Sequence, residues 1–209
     1  MFTGIVEELG IVKSIEKGAH CAVLTIGATR ILDDLKPGDS VAVDGVCLTV
    51  TRLTGDGFSA DLMRETVERT KLWTLRPGSP VNLERAMPAN GRFGGHIVAG
   101  HIDGTGTIRS VKRDENAVRF TIGAAPAVLR YIVEKGSVAV DGVSLTVTQV
   151  TKSAFEVSVI PHTAENTVLK TARAGDTVNV ECDCIGKYVE KLLCKTGGIT
   201  EEFLEKYDF

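Results

Sequence analysis

The chain has 209 residues, of which 43% are hydrophobic, and its formal net charge at pH 7 is −3 with an isoelectric point near 5.8. This acidic balance argues against a nucleic-acid-binding protein, because such proteins present a basic face to the phosphates. No run approaches the roughly eighteen apolar residues of a membrane span, and the N-terminus lacks the pattern of a signal peptide, so we expect a cytoplasmic protein with no membrane partner.

The first ninety residues contain short segments rich in β-branched residues, separated by glycine and proline turns. Strands are predicted at residues 4–15, 22–26, 41–43, 46–53, 58–63 and 80–84. Short helices are predicted at residues 31–35 and 66–72. Six short strands at this spacing are typical of a small closed barrel.

A long internal repeat then defines the architecture. The sequence SVAVDGVCLTVT at residues 40–51 recurs as SVAVDGVSLTVT at residues 137–148, with Ser144 in place of Cys47. The offset of 97 residues continues to the last strand, and an offset of 96 pairs residues 3–7 with 99–103. We therefore predict an all-β protein of two tandem six-stranded Greek-key barrels from an internal duplication, covering residues 1–95 and 96–182. A helix is also predicted at residues 126–133.

The two segments outside the barrels differ in character. Residues 87–96 are glycine-rich and are predicted to cross the surface between the barrels. In the last segment, residues 183–209, apolar residues at helical spacing predict a C-terminal helix that packs between subunits, although packing on its own barrel is the alternative. These apolar residues are Ile185, Tyr188, Val189, Leu192 and Leu193.

Several classes of site are not indicated. The glycine-rich residues 100–106 lack the strand and helix that flank a dinucleotide-binding loop. Cys182 and Cys184 have no second pair at zinc-site spacing, and His96, His101 and His162 are too scattered to indicate a metal. Five cysteines in a chain without an export signal indicate free thiols.

Four motifs together resemble the riboflavin synthase family of duplicated lumazine-binding barrels. They are MFTGIVEE at residues 1–8, DGVCLTV and DGVSLTV one repeat apart, GGHIVAGHIDG at residues 94–104, and the C-terminal helix. The resemblance implies a homotrimer and a cofactor-independent transferase reaction. In that reaction two molecules of 6,7-dimethyl-8-ribityllumazine exchange a four-carbon unit, giving riboflavin and 5-amino-6-(D-ribitylamino)uracil. An association with lumazine synthase is a further implication.

The reaction explains why a duplicated chain should diverge at a few positions, since donor and acceptor are the same molecule in different roles. Cys47 is paired with Ser144 in the repeat, Ile5 with His101, and Glu65 with His162. The resemblance points to catalytic roles for Ser144, His101 and Cys47, because an imidazole carries protons near neutral pH and a hydroxyl or thiol can relay them or add transiently. Further catalytic candidates are Thr146 and Asp183.

Substrate contacts are implied for both barrels, with the family's site lying between the first barrel of one subunit and the second of its neighbour. The first barrel would use Phe2, Thr3, Gly4, Ile5, Val6, Cys47, Leu48, Thr49, Asp61, Leu62, Met63, Arg64, Glu65 and Thr66. The second would use Gly100, His101, Ile102, Ser144, Leu145, Thr146, Val159, Ile160, Pro161, His162, Thr163 and Ala164. Lys135 would reach a substrate in a neighbouring subunit.

Each of these assignments has a simpler alternative. Cys47 in an apolar strand can be a small buried hydrophobe, Lys135 a solvated turn residue, and Asp183 the N-cap of the C-terminal helix. Asp44 and Asp141, each followed by glycine, are interpreted as turn residues outside the site.

Two other functions also stay open. A non-catalytic carrier of a lumazine or flavin chromophore would share the barrels, but the intact residues 100–103 and 144–146 favour the enzyme. A purely structural double barrel would explain the repeat, but not the hydroxyl, thiol and imidazole groups at matching places.

Overall fold

Twelve strands form two closed antiparallel barrels in the computed structural model, which describes residues 1–18, 21–114 and 116–193. The first barrel consists of β1 (Glu8–Lys17), β2 (Cys21–Gly27), β3 (Ser40–Val43), β4 (Val46–Thr54), β5 (Gly57–Met63) and β6 (Pro80–Arg85). The second consists of β7 (Gly104–Asp114), β8 (Ala117–Ala124), β9 (Ser137–Val140), β10 (Val143–Val150), β11 (Ala154–Val159) and β12 (Thr177–Cys182).

Both barrels have the same strand order. Neighbours around the first are β1-β2-β5-β4-β3-β6, and the second repeats this arrangement as β7-β8-β11-β10-β9-β12. The predicted pair of six-stranded Greek-key barrels is confirmed. The boundaries placed at 95/96 and 182/183 stay a prediction.

Helices are few and short. They are α1 (Arg64–Arg69), α2 (Pro126–Leu129), α3 (Pro161–Glu165) and α4 (Cys184–Leu193), with single 3₁₀ turns at Arg30–Asp33, Lys71–Thr74 and Val168–Lys170. The helix predicted at residues 126–133 ends at Leu129, because Tyr131 and Ile132 donate to carbonyls three residues back and tighten the chain into a turn. The helix predicted at residues 31–35 is likewise a 3₁₀ turn.

Each barrel has its own apolar core, which follows from alternation along the strands. In β4, Leu48 and Val50 point inward while Cys47 and Thr49 point outward, and Leu145 and Ser144 repeat this in β10. Burying an aliphatic or aromatic side chain of this kind contributes about 1.5–3 kcal/mol. The alternation therefore fixes both the core and the outward direction of Cys47 and Ser144.

The chain leaves the barrels before the first strand of each repeat. We call residues 2–6 the first arm and residues 98–102 the second arm. β1 begins at Glu8, not at Gly4 as predicted. The reason is that the first arm pairs with the second arm instead of with a barrel strand. Phe2 N–H donates to Val98 O at 2.8 Å, and Val98 N–H donates to Phe2 O at 3.2 Å. Phe2 is fully buried with Val98 in a small third core between the barrels.

The arms cross between the repeats. Val6 of the first arm packs against the core of the second barrel, whereas Ile102 of the second arm packs against the core of the first. Each barrel is therefore completed by the arm of the other repeat.

A buried polar network joins the two barrels. Lys71 Nζ lies 2.7 Å from Asp141 Oδ2 and 3.1 Å from Asp44 Oδ2. The side-chain amide of Asn82 donates to the backbone carbonyl of Asp141, and that of Asn179 donates to the backbone carbonyl of Asp44, both at 2.9 Å. Burial raises the pKa of Asp141 to about 7, with Asp44 adding to the rise and Lys71 opposing it. Asp44 and Asp141 occupy turns, as predicted, and these turns form the interface.

Among the described residues, none covers the apolar stripe of the helix α4. Tyr188, Leu192 and Leu193 are each about two-thirds exposed. Its polar side rests on the second barrel, where Lys187 pairs with Asp103 and Glu190 accepts the hydroxyl of Tyr131. The stripe therefore does not pack on its own barrel. Residues 194–209 of the predicted C-terminal segment lie outside the described residues.

Within the described ranges, no helix has the length and apolarity needed to cross a bilayer.

Candidate active site

Cys47 and Ser144 occupy equivalent positions just after a tight turn. The turns Asp44-Gly45 and Asp141-Gly142 have positive φ at both residues, as a two-residue hairpin requires. This geometry sets the register in which Cys47 pairs with Ala42 and Ser144 with Ala139. Both side chains consequently stand on the outside of their barrels, next to the arms.

The arms bind directly to the backbone of these two residues. Ser144 N–H donates to Gly4 O at 2.8 Å, and Cys47 N–H donates to Gly100 O at 2.9 Å. Both glycines have positive φ, and a Cβ would lie 2.7 Å from Ser144 Cβ at Gly4 or 2.5 Å from Cys47 Cβ at Gly100. Only glycine fits these two positions. Two sites result, and each contains residues of both repeats.

The site at Cys47 is a cavity of about 260 Å³. It combines residues of the first barrel with the second arm. Its lining consists of Val46, Cys47, Thr66, Arg69, Thr70, Gly100, His101 and Ile102. Cys47 is half-buried at the cavity wall, so it is not an enclosed core residue. An exposed imidazole and a thiol therefore face the same space.

This grouping differs from the one predicted from the repeat. The sequence placed residues 4–6 with Cys47 and residues 100–102 with Ser144, but the structure brings His101 to Cys47 and the backbone of Gly4 to Ser144. The reason is the crossing of the arms. A repeat shows which residues are equivalent, but not which of the two barrels each copy contacts.

The site at Ser144 contains a histidine that the sequence analysis did not select. His96 Nδ1 lies 2.7 Å from Ser144 Oγ in a shared hydrogen bond. The ring is buried, and its Nε2 has no hydrogen-bond partner among the described residues. Burial lowers the pKa of His96, while the negative charge of Asp183 acts in the opposite direction. A neutral imidazole bonded to a hydroxyl is a proton-transfer pair.

The comparison of repeats could not have found His96. The pairing of the two arms starts at Thr3 and Ala99, so His96 has no counterpart among the repeated residues. The signal that contained it was the motif GGHIVAGHIDG, in which His96 precedes the second arm. Comparing equivalent positions of the two repeats cannot identify a residue that has no equivalent in the other repeat.

The other predicted binding residues divide into outward and inward groups. Side chains that are exposed or half-buried belong to Thr49, Asp61, Met63, Arg64, Thr66, Thr146, Ile160, Pro161, His162 and Thr163. Side chains that point into the barrel cores belong to Leu48, Leu62, Leu145, Val159 and Ala164, so only their backbone can face a ligand. Thr3, in the first arm, is buried. The side chain of Glu65 lies outside the described part of the structure.

Lys135 and Asp183 occupy the positions expected of a solvated turn residue and of a helix N-cap, respectively. Lys135 is exposed in a turn with φ of 64°, where its repeat counterpart is Gly38. Asp183 accepts the N–H of Ile185 at 3.0 Å and so caps α4. Its charge also acts on His96, which links the start of α4 to the Ser144 site.

No three His, Cys, Asp or Glu side chains come together as a metal site within the part of the chain that the structure describes. Cys47, Cys182 and Cys184 are free thiols. Cys194 and the side chain of Cys21 lie outside the described residues.

Comparison with known proteins gives a consistent result. Residues 3–86 and 99–183 both match the lumazine binding domain. A curated riboflavin synthase from Bacillus subtilis is 47% identical over the full length of both chains. The chain belongs to the riboflavin synthase family. Another member, from Actinobacillus pleuropneumoniae, is 52% identical over 93% of this chain and 91% of its own, and one from Schizosaccharomyces pombe is 44% identical over 92% and 94%.

Solved structures of the lumazine-binding protein LumP have the same fold. LumP in complex with 6,7-dimethyl-8-(1'-D-ribityl) lumazine superimposes with a TM-score of 0.80 at 27% identity, covering 87% of this chain and 99% of LumP. LumP in complex with riboflavin gives a TM-score of 0.81 at 28% identity. The structural likeness thus extends over both barrels.

Proposed function

We propose that the chain is a riboflavin synthase. It would convert two molecules of 6,7-dimethyl-8-ribityllumazine into riboflavin and 5-amino-6-(D-ribitylamino)uracil by transfer of a four-carbon unit, as a transferase that needs no cofactor. One observation supports this above the others: the equivalent residues Cys47 and Ser144 have different imidazole partners, His101 and His96. Such near-equivalent sites suit two copies of one substrate that play different roles.

The chemistry starts with loss of a proton from the C7 methyl group of the donor lumazine, which gives an anion delocalised over the ring. That anion attacks C7 of the acceptor, and a second carbon–carbon bond then closes the new ring of riboflavin. The two bonds between the four-carbon unit and the ring nitrogens of the donor break, and these nitrogens take up protons to give 5-amino-6-(D-ribitylamino)uracil. His96, held neutral by burial, can take a proton through the hydroxyl of Ser144, and the resulting imidazolium would face the charge of Asp183. His101 is the corresponding proton carrier beside Cys47.

Substrate binding would use the outward residues around each reactive side chain. Beside Cys47 these include Thr49, Asp61 and Thr66, and beside Ser144 they include Thr146, His162 and Thr163. Hydroxyl, carboxylate and imidazole groups offer the partners that a ribityl chain needs. The exposed Met63 and Ile160, equivalent in the two repeats, would cover the apolar part of the ring.

The proposal includes a cytoplasmic homotrimer. Each chain leaves the apolar stripe of α4 uncovered, and a stripe of this kind is typical of a subunit interface. The active site would then lie between the first barrel of one subunit and the second barrel of its neighbour, with Lys135 contacting a substrate in that neighbour. An association with lumazine synthase stays a prediction from the family resemblance.

A chromophore carrier is the second candidate, because the barrels superimpose on LumP over 87% of this chain. Sequence identity favours the enzyme: it is 27–28% with LumP but 44–52% with the riboflavin synthases named above. The His96–Ser144 pair also supports proton transfer, which a carrier does not need.

The deciding experiment is incubation of the purified protein with 6,7-dimethyl-8-ribityllumazine and no added cofactor, with riboflavin followed by absorbance. We expect turnover in the wild type and slower turnover in Ser144→Ala, His96→Asn and His101→Ala. Tight binding without product would identify a carrier and reject the proposal. Absence of both binding and turnover would leave only the fold.

A further inference from the structure

Two equivalent glutamates lie buried beneath the arms. Glu84 in β6 and Glu181 in β12 are 6% and 2% exposed and occupy the same place in the two repeats. Each carboxylate points at the backbone of the arm of its own repeat. Glu84 faces the first arm, and Glu181 faces the second.

Both oxygens of each carboxylate accept arm N–H groups. Glu84 Oε1 accepts Thr3 N–H at 2.7 Å and the Thr3 hydroxyl at 2.8 Å, and Glu84 Oε2 accepts Gly4 N–H at 3.0 Å. Glu181 Oε1 accepts Ala99 N–H at 2.6 Å, and Glu181 Oε2 accepts Gly100 N–H at 2.9 Å. Hydrogen bonds to an ionised carboxylate are about twice as strong as neutral ones.

The glycines that receive these bonds also hold the reactive residues. Gly4 donates its N–H to Glu84 and accepts the N–H of Ser144, while Gly100 donates to Glu181 and accepts from Cys47. One peptide segment thus connects a carboxylate of the first barrel to Ser144 of the second. Its counterpart connects a carboxylate of the second barrel to Cys47 of the first.

A buried carboxylate is a costly way to hold an arm, which suggests that its two acceptor oxygens are needed. Burial raises the pKa of both glutamates, that of Glu181 to about 7. The arm N–H groups oppose this rise, because their hydrogen bonds favour the ionised form. A glutamine of the same shape would present one acceptor and one N–H donor, and that donor would face an arm N–H. The arm N–H groups therefore match two acceptors side by side, which the ionised carboxylate supplies and an amide does not.

We propose that Glu84 and Glu181 are positioning residues that act across the barrel interface: Glu84 places Ser144, and Glu181 places Cys47, each through the arm between them. Neither glutamate touches the substrate. This inference rests on the proposed function for its effect on turnover, but the crossed arrangement of the arms can be tested without any reaction.

The kinetic test uses Glu84→Gln and Glu181→Gln as matched controls for each other. Each should lower kcat/KM about 10-fold, mainly through kcat, because loss of a charge-assisted hydrogen bond displaces the reactive side chain. In a Ser144→Ala background, Glu84→Gln should cost at most about 2-fold, since the group that it places is gone, while Glu181→Gln should keep its full effect. In a Cys47→Ala background the two results should exchange. Full additivity in every pairing would overturn the proposal.

A second measurement is independent of turnover. Hydrogen exchange followed by mass spectrometry should show faster exchange at residues 3–4 in Glu84→Gln and at residues 99–100 in Glu181→Gln, each without change at the equivalent two residues of the other arm. Unchanged exchange in both arms would reject the proposal that the two glutamates hold the arms in place. A wild type with no turnover would reject the proposed function, and the exchange pattern would still decide the role of the glutamates.

A milder variant covers the case in which Glu84→Gln does not fold. Thr3→Val removes the hydroxyl bond to Glu84 and the longer bond, 3.3 Å, that the same hydroxyl accepts from Ile5 N–H, and it keeps both backbone N–H bonds to Glu84. We expect a loss of about 2- to 3-fold in kcat/KM, suppressed in the Ser144→Ala background and retained in the Cys47→Ala background. The same loss in both backgrounds would argue against positioning of Ser144.

Discussion

At the scale of single residues, the environment of each ionisable group decides what it can do. His96 and His101 have the same side chain, but one is buried against a hydroxyl and the other is exposed beside a thiol. The carboxylates Asp44 and Asp141 illustrate the same point, since they share the single cation of Lys71. Identical chemical groups thus lie in different surroundings, which suit them to different roles.

His96 is predicted to be a proton carrier. His96→Asn should lower kcat about 100-fold with little change in KM, because a positioned acid–base group typically contributes 10²–10⁴-fold while an amide can still bond to Ser144. Because burial lowers the pKa of His96, the wild-type rate should fall only on the acid side of the usual histidine range, and this limb should vanish in His96→Asn. Steady-state kinetics across pH measure both effects. An unchanged kcat would remove His96 from the mechanism.

The raised pKa of Asp141 predicts that the free energy of unfolding depends on pH. Its folded pKa of about 7 lies above the ordinary value of 3.8, so the native state binds more protons than the unfolded state between these values. The contribution of Asp141 to the free energy of unfolding must then decrease as pH rises from about 4 to about 7, by at most ~1.4 kcal/mol per pH unit.

Urea denaturation of the wild type and Asp141→Asn at several pH values isolates this contribution. As pH rises from about 4 to about 7, the unfolding free energy of the wild type should decrease relative to that of Asp141→Asn. Carboxylates far from Asp141 cancel in that difference, including Glu8, where burial opposes the backbone hydrogen bonds that hold its pKa low. Asp44 does not cancel, because it shares Lys71 with Asp141, so the difference reports Asp141 together with its coupling to Asp44. A constant difference across the window would contradict the assignment.

At the scale of elements, the arms decide how two equivalent barrels become two different sites. They pair with each other at Phe2 and Val98 and then extend to opposite barrels. Their close approach to Ser144 and Cys47 depends on Gly4 and Gly100, which supply positive φ and the absence of a Cβ. An arm is therefore tolerant of little change, although it contains no regular structure.

Gly4→Ala and Gly100→Ala are expected to displace the arms. A Cβ at either position would overlap backbone and side-chain atoms that cannot rotate away, so we expect kcat/KM to fall at least about 100-fold and the melting temperature to decrease. Gly55→Ala is the matched control, because a Cβ there meets nothing within 4 Å. Kinetics and thermal unfolding of the three variants give the comparison. Equal behaviour of all three would show that the arms can move freely.

At the scale of the whole molecule, the uncovered face of α4 is the feature that one chain does not explain. The polar side of the helix is tied to the second barrel through Lys187 and Asp103, so the helix is held with its apolar side outward. An exposed apolar stripe of this size is costly in water unless another surface covers it. We therefore expect the chain to assemble through this face.

Leu192→Asp should prevent assembly, because a charge in an apolar interface is left without a partner. Light scattering after gel filtration should show a trimer for the wild type and a monomer for the variant. Riboflavin formation should fall at least about 10-fold, because the proposed site lies between subunits. Lys191→Glu, on the same helix but off the stripe, is the control and should stay trimeric. A monomeric wild type would contradict the expectation.

The sequence by itself determined the repeat, the two barrels, the strand count and the family. It could do so because alternation along a strand and glycine turns are local properties, and because the repeat preserved them in both halves. It also identified Cys47 and Ser144 as the divergent pair, since a substitution in an otherwise conserved copy is visible without coordinates.

Only the tertiary structure decided which residues meet. His101 faces Cys47 rather than Ser144, and His96 completes the Ser144 site, because the arms cross between the barrels. The crossing depends on contacts about 80 to 140 residues apart in sequence, such as Glu84 with Gly4 and Ser144 with Gly4. Long-range contacts leave no period or spacing in the sequence, so an equivalence between repeats could not indicate on which barrel each arm rests.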